Sequence, residues 1–212
     1  MPSGKQVTIA TPRGAAPGVF HQAEGALGAV VMVAGAVGGT AGPSRAYPAL
    51  AERLIEAEIG ALRLDYRDPT NMNACVYDLD AGLDWLRAMA FARFALIGWS
   101  FGGAVVMSSA VAHGDVVGVA ALASQTAGTA AVGRLAPRSL LLLHGTADQV
   151  LPEWCSHYLY QEAGEPKRLV LYEGDGHEFS RSYAHVVQTL FEWAMGLLAP
   201  TSDAPVERST SS

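Results

Sequence analysis

Two cysteines, Cys75 and Cys155, are all that the 212 residues contain, and they stand far apart in sequence and in no metal-ligand spacing. That excludes a framework of several disulfides and a cysteine-rich metal module, and it leaves two reduced thiols, packed or at the surface, as a reducing compartment allows. Basic residues are also few. Fourteen Lys and Arg stand against 20 Asp and Glu, for a formal net charge of −6, and the cations are scattered rather than gathered into a stripe. Nucleic acid is therefore not expected as a partner. No segment approaches the roughly 18 to 20 apolar residues that cross a bilayer. The opening Met1-Pro2-Ser3-Gly4-Lys5 leads into an alternating segment rather than an apolar signal core. The expectation is a cytoplasmic protein with no membrane partner.

What the sequence does have is apolar mass: 50% of its residues are hydrophobic, enough at this length for one domain with a substantial core and no need of metals or disulfides. Residues 1–198 are expected to form that domain. Residues 199–212, rich in Ser, Thr, Pro and charge, have almost nothing to bury and read as a flexible tail.

Along the chain, Val7-Thr8-Ile9 and the stretch Gly18 to His21 suggest an antiparallel pair at a sheet edge. Ala29 to Val33 is a continuous apolar run with β-branched residues, which reads as a buried strand entering the Gly-rich loop Ala34 to Gly39. From Tyr47 to Ile59 the residues Tyr47, Leu50, Leu54 and Ile55 recur at helical spacing, with Gly60 as a stop. Ala61 to Leu64 is the next strand. A helix over about Ala74 to Met89 carries Val76, Leu79, Leu83 and Leu86 on one face, with Asp78, Asp80, Asp84 and Arg87 largely elsewhere. Strands follow at Phe94 to Ile97, Val116 to Leu122, Leu140 to Leu143 and Leu169 to Tyr172. Helices follow at Gly103 to Ala112, Glu153 to Gln161 and Ser182 to Leu198. This alternation predicts a mostly parallel sheet with right-handed crossovers and helices on both faces, whose ligands sit at the carboxyl ends of the strands.

The loops at that end carry the chemistry. Gly98-Trp99-Ser100-Phe101-Gly102 matches G-x-S-x-G directly after one strand and directly before a helix. A serine on so sharp a turn needs small residues two before and two after it, because strand and helix approach closely there. The head of the helix also favours negative charge beside it. A glycine-rich turn can hold a serine by chance, but the placement between strand and helix counts against that. Neither phosphate-loop pattern is present.

An alkyl hydroxyl is a weak nucleophile and needs a base, and the base needs an acid to hold its tautomer. Asp148 lies in the loop after the strand ending at Leu143, and His177 in the loop after the strand ending at Tyr172. The chain order Ser100, Asp148, His177 is that of α/β-hydrolases. Asp148 by itself also reads as a turn aspartate ahead of Pro152. Asp175 competes as the acid, but two residues before His177 on the same turn it is expected to shape the loop instead. His21, His113, His157 and His185 read as edge, helix-end or surface residues, and His144 as a buried strand-end imidazole bracing the Asp148 loop. Asp175, His177 and Glu178 lack a second His or Cys cluster, so no metal and no cofactor are expected. The oxyanion hole is assigned to the backbone N–H of Phe101 and of Ala36, with Val37 as the other candidate donor in its loop.

With Gly98-Trp99-Ser100-Phe101-Gly102-Gly103, His144-Gly145-Thr146-Ala147-Asp148 and Gly174-Asp175-Gly176-His177 in place, residues 28–198 resemble the small, capless α/β-hydrolases of dienelactone hydrolase-like or esterase type. The resemblance implies an α/β-hydrolase fold without a lid domain and hydrolysis through an acyl-enzyme, with Ser100, Asp148 and His177 as the triad. Dienelactone hydrolases of that family use a cysteine nucleophile. Here Ser100 takes its place and the Ala34 to Gly39 loop has no Glu, so dienelactone is not the expected substrate. Only Ala123 to Ser139 separate two strands where relatives insert a lid. Val37, Trp99, Phe101, Thr126, Leu151 and Phe179 are expected to face the site, a mostly apolar set that suits the small neutral acyl group of a short-chain ester. A thioesterase or acyltransferase would use the same triad, and a binding protein on this fold would leave it idle. A homodimer through an edge strand or the last helix is left open.

Overall fold

The computed structural model describes residues 4–11 and 13–199. Its strands are β1 (Lys5–Thr11), β2 (Gly14–His21), β3 (Gly28–Val33), β4 (Gly60–Leu64), β5 (Arg93–Trp99), β6 (Val116–Leu122), β7 (Ser139–Gly145) and β8 (Lys167–Tyr172). Its α-helices are α1 (Ala46–Glu56), α2 (Met72–Ala88), α3 (Phe101–Ala110), α4 (Trp154–Glu162) and α5 (Tyr183–Leu198), with short 3₁₀ turns at Pro43–Arg45 and Val132–Arg134. The expected tail lies outside the described residues except for Ala199, which caps α5.

The eight strands form one sheet in the order β1-β2-β4-β3-β5-β6-β7-β8. The β1–β2 and β2–β4 pairs are antiparallel, and every other pair is parallel. All six residues of β3 are buried, as a strand covered on both faces requires. On one face α2, α3 and α4 cover a core that includes Leu79, Leu83, Phe94, Leu96, Val105 and Leu159. On the other, α1 and α5 cover Val30, Met32, Leu50, Leu54, Ile97 and Leu190. Helix α3 has nine of its ten residues buried, which fits its apolar sequence on all sides.

After β3 the chain steps through α1 to β4. It then crosses back through α2 to β5 and continues in one direction to β8. The order reverses between β3 and β5, and their carboxyl ends open the crevice where ligands bind in such sheets.

Two local expectations are corrected. The first helix ends at Glu56, not Ile59, and its stop is Glu58 rather than Gly60. Glu58 takes φ 59°, donates to the Ile55 carbonyl at 3.1 Å, and lets Ile59 N–H reach Leu54 O at 2.9 Å. This is a Schellman closure without glycine, and Ile59 is the buried residue it delivers. Helix α2 closes the same way through Ala90, at φ 70°, and Phe91. Asp78 is the second correction. It is fully buried, pairs with the Arg67 guanidinium, and accepts the Arg67 backbone N–H at 2.9 Å. A buried carboxylate persists only when so satisfied.

Candidate active site

Ser100 stands at the switch point, between the last residue of β5 and the first of α3, with φ 57° and ψ −121°. Such a conformation costs a non-glycine residue about 1–3 kcal/mol and survives only where its surroundings dictate it. Here they do. The Ser100 N–H continues the parallel ladder to Leu122 O at 2.8 Å, and its carbonyl accepts the Gly103 N–H at 3.0 Å. A Cβ on Gly98 would run into the Gly102 carbonyl, and one on Gly102 into the Ala34 carbonyl, so only glycines let strand, turn and helix approach this closely. The Ser100 hydroxyl hydrogen-bonds to no other described residue and points from a half-buried position at the head of α3.

The loops after β7 and β8 are stitched together. Thr146 N–H donates to Tyr172 O at 3.0 Å, Ala147 N–H to Asp175 O at 2.8 Å, and Gly174 N–H to Thr146 Oγ1 at 2.8 Å. This lattice sets Asp148 against His177: the imidazole Nδ1–H donates to Asp148 Oδ2 at 2.7 Å. The Asp148 carboxylate is wholly buried, and its Oδ1 accepts the N–H groups of Val150 and Leu151 at 2.8 and 2.9 Å. Four lone-pair sites on two oxygens are thus largely occupied, which keeps an ionised carboxylate tolerable inside the protein.

His177 is held from a third side by the residue before the serine. Trp99 Nε1–H donates to the His177 carbonyl at 3.1 Å, and the two rings lie 5.3 Å apart between centroids. Among the described residues no hydrogen bond joins Ser100 Oγ to the imidazole. In unliganded sites such bonds are often long and tighten with substrate.

The loop after β3 borders the serine on its other side: a Cβ on Gly35 would approach the Ser100 Cβ to 3.2 Å. Gly38 N–H donates to Gly35 O at 3.0 Å, so Ala36 and Val37 are the central residues of a turn. Their N–H groups and that of Phe101 donate to no acceptor among the described residues. Both candidate donors of this loop therefore remain free.

Of the expected lining residues, Val37 is 88% exposed, and Trp99 and Leu151 are half-buried at the site. Thr126 lines a surface cleft of about 270 Å³ with Tyr158 and Glu162, one that Ser100 does not line. Phe179 is corrected outright. It is 1% exposed, takes φ 53°, and packs edge-on against Tyr172 in the core under α1 and α5. The Phe101 side chain is likewise turned inward, against Tyr66. An aromatic two residues past a histidine reads equally well as wall or as anchor until the direction of its side chain is known.

Among the described residues no hydrogen bond joins the Asp175 carboxylate to His177. That carboxylate accepts from Gly176 and Arg181 at 3.0 and 3.3 Å and from Ser182 at 2.7 Å. Burial works to raise its pKa, but these donors outweigh it and hold the group below the ordinary carboxylate range. His144 braces the acid loop as its position suggests, with Nε2 at 3.0 Å from Leu151 O and Nδ1 at 2.7 Å from Ser156 Oγ. Burial, chiefly, lowers its pKa, against the raising pull of the Leu151 carbonyl and Asp148. His157 and His185 are exposed, and His113 pairs with Asp80 at 2.9 Å. Among the described residues no group of three or more His, Cys, Asp or Glu is arranged to hold a metal.

Sequence reasoning missed the residues that hold the β3 loop. Tyr47 OH donates to Val33 O at 3.0 Å and Tyr66 OH to Ala34 O at 3.1 Å, both from buried rings. Asp65 Oδ1 accepts from Gly39 and Tyr66 N–H groups. Asp65 follows directly on a parallel strand, a position that could have marked it. Nothing in the sequence aims the tyrosine hydroxyls.

No protein-family model and no curated protein matches the chain. Solved structures do resemble it. A dienelactone hydrolase from Anabaena variabilis superposes with TM-score 0.80 at 20% identity, over 93% of this chain and 99% of that one. The esterase domain of a Rhodothermus marinus protein gives 0.74 at 22% identity, over 92% and 98%. An alpha-beta serine hydrolase homologue from Coxiella burnetii gives 0.76 at 19%, over 90% and 97%. At these identities the likeness is one of fold. It is the α/β-hydrolase fold, and between β6 and β7 the chain adds only a loop with one 3₁₀ turn and no lid domain.

Proposed function

We propose that this protein, with its α/β-hydrolase fold, is a serine hydrolase that cleaves small carboxylic esters through an acyl-enzyme. The observation that carries the reading is the strained Ser100 at the head of α3, beside an imidazole whose Nδ1–H is committed to the buried Asp148 at 2.7 Å. With Nδ1 so engaged, Nε2 is the basic nitrogen.

In this reading Ser100 Oγ attacks the ester carbonyl carbon, and its proton passes to His177 Nε2 as the C–O bond forms. The carbonyl π electrons move onto oxygen, which accepts hydrogen bonds from Phe101 N–H and from Ala36 or Val37 N–H. The intermediate collapses, the alkoxide departs with the proton from His177 Nε2, and Ser100 keeps the acyl group. Water then gives a proton to the same nitrogen and attacks the acyl carbon, and Ser100 leaves carrying that proton. Asp148 stays ionised throughout and stabilises the transient imidazolium.

The short-chain preference rests on what borders the serine. With Phe179 and Phe101 turned into the core, the apolar residues left at the site are Trp99, Leu151 and the exposed Val37. A cytoplasmic setting goes with the two thiols, Cys75 and Cys155, which are both free and buried.

The test is turnover of activated acetate, butyrate and octanoate esters by wild type and Ser100→Ala, with intact-mass detection of a fluorophosphonate adduct. Turnover that falls with chain length, and that is lost together with the adduct in Ser100→Ala, is expected. A folded wild type with neither turnover nor adduct would overturn the assignment and favour a binding protein on this fold.

A further inference from the structure

The loops after β3 and β8 touch each other, although three strands, β5, β6 and β7, lie between their parent strands in the sheet. The separation is about 19 Å at ordinary strand spacing. The contact exists because α1 and α5, which follow those loops, pack together on one face. Ser44 N–H donates to Glu178 Oε2 at 2.9 Å, and Ser44 Oγ–H donates to Glu178 O at 2.8 Å, with Ser180 Oγ a further 3.1 Å partner. The residues joined are 134 apart in sequence.

Ser44 and Arg45 both hold positive φ, 45° and 62°, where non-glycine residues rarely go. Glu178 sits between His177 and the buried Phe179, itself at φ 53°. Strain of this kind persists where contacts over-determine the backbone, and the Ser44–Glu178 bonds are contacts of that kind. Each loop is also anchored separately to the body of the fold, one by the Tyr47 and Tyr66 hydroxyls, Asp65 and Arg63, the other by Phe179, Trp99 and the lattice to the β7 loop, and the Ser44–Glu178 bonds join the two to each other.

We propose that Ser44 and Glu178 form a clasp that fixes the spacing between the loop offering Ala36 and Val37 N–H groups and the loop carrying His177. They are positioning residues, touching no substrate. The inference rests on the serine-hydrolase reading, in which the oxyanion donors and the general base must serve one transition state together. The clasp therefore acts on kcat rather than KM, since misplacement of either partner weakens interactions formed only in that state.

The experiment is a double-mutant cycle of Ser44→Ala and Glu178→Ala with an activated acetate ester, alongside Ser44→Thr and Glu178→Gln. Threonine keeps the hydroxyl, and glutamine keeps an acceptor oxygen for the Ser44 N–H. Each alanine variant is expected to lose roughly 10- to 100-fold in kcat with KM within about twofold. Each alanine removes a different one of the two bonds, so the double variant should be slower than either single one, and the conservative variants should recover most of the rate. Wild-type kcat in the alanine variants, the double variant included, would overturn the clasp while leaving the hydrolase reading intact. If the alanine variants do not fold, Ser44→Gly, suited to φ 45°, and Glu178→Met take their place: a kcat loss in either with KM unchanged supports the clasp, and wild-type kcat in both overturns it. A folded wild type that neither turns over ester nor takes a fluorophosphonate adduct overturns both.

Discussion

His144 Nε2 lies 3.3 Å from Asp148 Oδ2, and neither side chain has any exposed surface. The same nitrogen faces the Leu151 carbonyl at 3.0 Å, so it meets two acceptors and carries the proton. Nδ1 must then accept from the Ser156 hydroxyl at 2.7 Å. A neutral imidazole with a fixed tautomer thus lies against the carboxylate that faces His177.

Ser156→Ala leaves the buried Nδ1 lone pair without a donor, at a cost of about 1–3 kcal/mol. His144→Phe removes the ring's bonds to Leu151 and Asp148 as well and is expected to lower both stability and kcat further. Urea denaturation with parallel ester kinetics checks this. Unchanged midpoints in both variants would show that the imidazole contributes nothing to holding the acid loop.

Asp148→Asn keeps an oxygen for the Val150 and Leu151 N–H groups and should fold. Its amide cannot stabilise the imidazolium and lets the wrong tautomer in, so kcat is expected to fall about 10³- to 10⁴-fold. Fluorophosphonate labelling of Ser100 should slow in parallel. Near-normal labelling would remove Asp148 from the triad.

Gly102→Ala drives a methyl group into the Ala34 carbonyl, with the Val33 carbonyl 3.0 Å away. Neither is a flexible side chain, so the backbone of the β3 end or of the turn must shift. A destabilisation of about 1–3 kcal/mol is expected, with loss of ester turnover because Ser100 and the Ala36 loop move apart. A crystal structure of the variant with the turn unmoved, or full activity, would contradict the argument.

Acid should destabilise the fold through His21. Its side chain is buried, Nε2 accepts from Arg63 Nε at 3.1 Å, and Nδ1 has no partner among the described residues. Burial first, and the Arg63 charge second, lower its pKa from 6.5 to about 4. The folded value is the depressed one, so the stability due to the neutral ring is fully present above 6.5 and lost as pH falls toward 4. His144, also lowered by burial, works in the same direction. Urea midpoints measured across this range should decline, and His21→Gln, which still accepts from Arg63, should decline less. Identical curves for the two proteins would exclude His21 as a source.

The order of elements was legible from residue pattern because each rests on a local rule. A run such as Ala29 to Val33 suits a strand buried on both faces, and Leu79, Leu83 and Leu86 recur at the helical period. Ser100 was legible for the same reason, since Gly98 and Gly102 record in sequence how closely strand and helix meet. The pairing of Asp148 with His177 followed from chain order, and Asp175 stayed apart because its carboxylate is spent on its own turn. Side-chain direction was not legible. Phe179 and Phe101 turn into the core, Asp78 finds Arg67, and the Tyr66 hydroxyl finds the Ala34 carbonyl, each through neighbours set by how loops and helices fold onto the sheet. The Ser44–Glu178 contact belongs to the same kind, because two loops parted by three strands meet only when α1 and α5 pack on one face. Backbone conformation and periodic burial are set by residues a few positions apart, which the sequence displays. Contacts across the sheet depend on where the crossovers place each strand, which only the assembled fold decides.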